Sequence, residues 1–167
     1  YYARSWSDEA AGVVLVDSSH PEQVDRMPKT AKQRRSTTMP GGRSVYIMQQ
    51  QRVHPNYPEE KAVLALRLLQ TWKTALTIRE EMLNYALSAR QLRQAGDMPD
   101  IPLVVLTRGK RVWPHTDHGD AQETTWMTLQ DELANMVPDA THLIAEDAGH
   151  SIHMDKPGIV ISAVKTM

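Results

Sequence analysis

Residues His142–Pro157, HLIAEDAGHSIHMDKP, decide how the rest of this 167-residue chain is read. The stretch opens on a short, mostly apolar run, His142-Leu143-Ile144-Ala145, then passes through Glu146 and Asp147 into the small-residue turn Ala148-Gly149 and presents His150. A run this short, bounded by turn residues, predicts a buried strand rather than a helix. The Gly-His step beyond its C-terminal end predicts a functional side chain held on a loop. Pro157 suits the first position of a helix, and Ile159, Val160, Ile161, Ala163 and Val164 supply that helix with apolar residues. A histidine where a strand crosses into a helix lies where an open α/β sheet places its chemistry.

Working outward, two further strands are expected. Ala11-Gly12-Val13-Val14-Leu15-Val16 is a continuous apolar run that fits a strand buried on both faces of a parallel sheet, with Asp17 at its C-terminal end. An acid there faces the crevice where ligands bind, although Asp17 before Ser18-Ser19-His20-Pro21 also suits the cap of a following helix. Ile101–Thr107, IPLVVLT, is a second buried strand closed by Arg108-Gly109. Between the two, residues 22–58 are broken by Pro28, Pro40-Gly41-Gly42, Pro55 and Pro58, which predicts short helices and loops, with Lys29–Arg35 as a solvated basic patch.

Glu59–Ala95 carries Ala65, Leu68, Leu69, Trp72 and Leu76, then Ala75, Ile78, Met82, Tyr85, Ala86 and Ala89, at helical spacing. One or two helices packed on something apolar are expected. Trp72, Met82 and Tyr85 serve as core or as the lining of a substrate pocket. The loop Lys110–Asp120 groups His115, Asp117, His118 and Asp120, but at no spacing that matches a strong metal-ligand motif. Glu123–Met136 reads as an amphipathic helix with Trp126, Leu129, Leu133 and Met136 on one face.

Composition excludes several functions. A formal charge of -1 and a pI near 6.7 give no basic field, which argues against nucleic acid as a partner. The longest apolar runs, Ala10–Val16 and Ile101–Leu106, are far too short for a membrane span. With no cysteine, the chain has no disulfide, no thiolate metal site and no cysteine nucleophile. Neither a metal nor a cofactor is called for. Tyr1-Tyr2-Ala3-Arg4 has neither an initiating Met nor a signal pattern, so the first residue reads as the middle of something longer.

Alternation of buried strands with helices predicts an α/β fold on a parallel sheet. In order, AGVVLVDSSHP, PLVVLTRG and HLIAEDAGHSIHMDKP resemble the last three strands of an α/β-hydrolase, the third with the catalytic histidine and the Pro-led helix after it. The likeness covers essentially the whole chain. It implies an α/β-hydrolase core made by residues 1–21 and 96–167, forming part of a parallel sheet, and an inserted helical cap or lid at 22–95. The family's G-x-S-x-G nucleophile elbow is absent from these residues, and Ser18, Ser19 and Ser151 do not stand in an elbow context.

By that resemblance His150 is the general base, and its orienting acid is Asp17 first, with Asp117 and then Asp120 as alternatives, while His20 and His153 are structural or pocket-lining. The function implied is the C-terminal portion of a serine hydrolase that cleaves carboxylic esters or related acyl bonds. It would take a small-molecule ester or acyl substrate, need the upstream half of the fold, and be inactive alone. The alternatives are a noncatalytic small-ligand-binding protein on the same scaffold, and a regulatory or interaction fragment.

Overall fold

A computed structural model describes residues 1–29 and 53–167. The chain divides into two compact units, one made by residues 1–28 with 88–167 and the other by residues 29–87.

The first unit is a mixed α/β structure on a three-stranded parallel sheet. Its strands, β1 (Val13–Val16), β2 (Leu103–Arg108) and β3 (Thr141–Ala145), lie in the order β1-β2-β3. Val13 pairs with Leu103 and Val16 with Leu106, while Val104 pairs with Thr141 and Arg108 with Ala145. All six residues of the central strand β2 are buried, as its unbroken apolar run requires.

Successive strand residues point to opposite faces, and each face is covered by different helices. Val13, Leu15, Leu103 and Val105 pack with Leu133 and Val137. Leu133 lies on α5 (Asp117–Ala134), the crossover helix between β2 and β3. On the other face Val14, Val16, Val104, Leu106 and Ala145 pack with Ile152, Ile159, Val160 and Ala163. These belong to α6 (Ile152–Asp155) and α7 (Pro157–Lys165), the latter opening on Pro157 as expected. A fully buried Leu or Ile contributes roughly 1.5–3 kcal/mol, so the two apolar layers hold the sheet in register.

Two expectations are corrected. β3 was read as a buried strand, yet Leu143 and Ile144 are 39% and 42% exposed, and β1 is only half-buried. Each of these outer strands pairs on one side only among the described residues, which leaves its other edge open. The crossover helix begins at Asp117 rather than Glu123, because the Thr116 hydroxyl accepts the Gly119 N–H at 3.1 Å and caps it. Gly119 is required there, since a Cβ would fall 2.0 Å from the Pro114 carbonyl oxygen.

The two compact units meet at 28/29 and 87/88. Ion pairs and hydrogen bonds join the residues near these boundaries to the first unit. α2 (Gln23–Arg26) is tied to α5 by the Arg26 guanidinium, which forks onto Glu132, and Arg93 donates to the Pro21 carbonyl. Near the start of the chain, Arg4 of α1 (Tyr2–Ser5) donates to the carbonyl oxygens of Gly96 and Leu92 at 2.7 and 3.1 Å.

In the second unit the described elements are α3 (Glu59–Leu69) and the first part of α4 (Trp72–Gln94). Thr71 links them, its hydroxyl accepting the Thr74 N–H at 3.2 Å. Leu68, Trp72, Leu76 and Met82, expected to be packed, are exposed, and Ala75 is buried. The turn Pro40-Gly41-Gly42 and the basic patch beyond Lys29 lie outside the described residues. Among the described residues no helix is long and apolar enough to cross a membrane.

Leu106 and Ile152 are fully buried in one apolar layer. Replacing either by Ala should therefore cost about 2–5 kcal/mol in urea unfolding, whereas Ile161→Ala, at an exposed position of α7, should stay within about 0.5 kcal/mol.

Candidate functional site

All three strands deliver their C-terminal ends to one place. β1 delivers Asp17, the chain's non-glycine residue with a left-handed backbone among those described (φ 44°). Asp tolerates that conformation better than most residues, but it still has to be held there. The Asp17 N–H donates to the Leu106 carbonyl at 2.7 Å, which turns the chain off β1, and the side chain is fully buried. Its Oδ1 accepts the backbone N–H of Arg108 at 3.2 Å and the indole N–H of Trp126 at 3.1 Å. The other oxygen, Oδ2, lies 2.7 Å from Nδ1 of His150.

His150 stands on the loop after β3, and that loop is fixed at several points. The Lys110 N–H donates to the Ala148 carbonyl at 3.0 Å, and the Gly149 N–H donates to the Asp155 carboxylate on α6 at 2.8 Å. Gly109 permits this approach, because a Cβ on it would sit 2.3 Å from Cα of Glu146. The imidazole packs edge-on to Trp126 at 6.3 Å between ring centroids and is otherwise exposed.

An ionised carboxylate only accepts hydrogen bonds, so Nδ1 of His150 carries the proton shared with Asp17. Proton exchange with another group then falls to Nε2. The hydrogen bond to Asp17 holds the imidazole above its ordinary value, against partial burial and the nearby Arg108 charge, which act the other way. Because the folded value is raised, the pair stabilises the fold at pH below the ordinary imidazole value. That contribution fades as pH rises through the raised one.

Under Asp17 lies a group that sequence reading treated only as the end of a strand. Arg108 is buried, with Nε 3.6 Å from Asp17 Oδ2, and its Nη1 donates to the Lys110 carbonyl at 2.8 Å and to Glu123 on α5. Its guanidinium lies 5.0 Å from the ring centroid of Trp113 and 5.6 Å from that of Trp126. The available signal was a cation ending an otherwise apolar run, which has to be paired if it is buried.

The remaining candidates lie elsewhere. Asp120 pairs with Arg111, and Asp117 begins α5. His115 precedes that helix, while Nε2 of His118 is buried without a hydrogen-bond partner. His142 is held by Thr107 at 2.8 Å and by Asp131 at 3.4 Å. Among the described residues, His20, Glu22 and Glu132 converge closely enough to suggest a cation site. They do not suit one: Arg26 already spans both carboxylates, and His20 Nδ1 accepts the Glu22 N–H at 3.1 Å. Burial also lowers the pKa of His20, while Arg26 lowers that of Glu132.

Comparison with known proteins finds no matching family model, no matching curated protein and no matching solved structure.

Removing the charge of Asp17 should remove the cause of the raised imidazole value. In an NMR titration, Asp17→Asn is expected to move the His150 midpoint down from that of the unaltered chain, and an unmoved midpoint contradicts the assignment.

Proposed function

We propose that this chain supplies the proton shuttle of a serine hydrolase acting on carboxylic esters or related acyl bonds, with the attacking hydroxyl on a G-x-S-x-G elbow outside these residues. One observation carries the reading: a 2.7 Å contact between His150 and the buried Asp17 at the carboxyl ends of parallel strands. A resemblance in motif order supports it, since Asp17 follows the first strand and His150 the third, as in an α/β-hydrolase whose acid follows the sixth strand of the complete sheet.

In this reading His150 Nε2 takes the serine proton as the hydroxyl oxygen attacks the acyl carbon. The proton then passes to the leaving alkoxide as the carbon–oxygen bond breaks, and a second round with water releases the acid. Asp17 does not take the proton. It fixes the ring orientation and tautomer and stabilises the imidazolium that forms between the two transfers. The donors of the oxyanion hole belong to the elbow and an earlier loop.

The 167-residue chain alone is expected to leave a short-chain nitrophenyl ester intact. With a serine-bearing upstream segment restored, cleavage should appear. His150→Ala or Asp17→Asn should then lower kcat by roughly 10³-fold or more. Cleavage by the chain alone that survives His150→Ala contradicts the proposal.

A further inference from the structure

We infer that Glu123, acting through Arg108, sets the proton affinity of His150, because one buried guanidinium is shared between two carboxylates. The inference rests on the proton-shuttle reading of His150 and adds a positioning residue to it.

Asp17 and Glu123 both reach Arg108, the first at Nε and the second at Nη1. Their side chains are 0% and 17% exposed and that of Arg108 is 1% exposed, so water screens the three charges weakly. Two carboxylates and one guanidinium leave a formal residue of one negative charge. A proton on His150, bonded to Asp17, brings the set to neutrality.

The arrangement is a costly way merely to fill space. Glu123 Oε2 and Arg108 Nη2 are buried without hydrogen-bond partners, and a buried ion pair left partly unsatisfied commonly stabilises less than apolar packing does. What the second carboxylate does supply is charge. It draws on the guanidinium that would otherwise belong to Asp17, and so leaves Asp17 more negative towards the imidazole.

Several charged groups near the loop have partners of their own. Asp155 of α6 accepts the Gly149 N–H, Asp147 pairs with Lys156, and Arg111 pairs with Asp120. Lys110 meets Arg108 through its carbonyl oxygen. Contacts connect His150 to Asp17 directly, through it to Arg108, and through Arg108 to Glu123 on α5.

Two substitutions should act in opposite directions, which loss of packing alone does not produce. In Glu123→Gln the residual charge becomes zero, and the His150 midpoint should move down. In Arg108→Met it becomes two negative charges, and the midpoint should move up. The readout is the His150 ring-proton titration by NMR in the 167-residue chain without substrate, with amide spectra to confirm the fold. Glu123→Gln is nearly isosteric and decides the matter if Arg108→Met does not fold. An unchanged or raised midpoint in Glu123→Gln overturns the inference and leaves the hydrolase reading standing. Midpoints that move as expected, with no ester cleavage once the serine-bearing segment is restored, uphold the charge sharing and sink the hydrolase reading.

Discussion

A carboxylate placed where water cannot reach it has to be satisfied by the protein, and Asp17 is such a group. Its hydrogen bonds come from the backbone of β2, from Trp126 on α5 and from His150 beyond β3. Elements far apart in sequence are thereby tied to one side chain. A buried acid with a lost donor costs a few kcal/mol, so each of these elements is constrained to its place. The left-handed turn at Asp17 is part of the same constraint, since the backbone conformation persists only while those contacts hold the side chain.

From that constraint follows a division of labour at the carboxyl end of the sheet. The acid is enclosed and the imidazole is exposed, so one ring nitrogen is anchored and the other is accessible, as the proposed proton shuttle requires. Trp126 serves both, donating to the carboxylate and packing against the imidazole. Arg108 lies between Asp17 and Glu123 and pairs with both. The apolar layers on the two faces of the sheet meanwhile hold the strand ends level, so that residues 133 positions apart in sequence meet at 2.7 Å.

Much of this was legible in the chain. Three short apolar runs with acid, Arg-Gly and Gly-His ends gave the strands and the direction in which they point, because periodicity and turn residues are local signals. The pairing of His150 with Asp17 rather than with Asp117 or Asp120 was open, because it depends on register and on which loop folds over β1. Nothing local says that Thr116 caps α5 and draws Asp117 and Asp120 into its first turn. Arg108 and Glu123 were overlooked for a similar reason: a buried ion pair is set by two elements at once, and neither residue is unusual within its own. Exposure of Leu68, Trp72 and Met82 was equally beyond reach, since helical spacing states which residues share a face and not what lies opposite.

The measurement closest to the centre of this account is the tautomer of neutral His150, read from the nitrogen shifts of its ring in a long-range proton–nitrogen spectrum above its titration midpoint. A buried Asp17 carboxylate that accepts from Nδ1 requires the proton to remain on Nδ1 and leaves Nε2 as the unprotonated nitrogen. A ring protonated at Nε2 instead, the form a free imidazole side chain prefers in water, would mean that Asp17 does not hold it and that the exposed nitrogen is not a base.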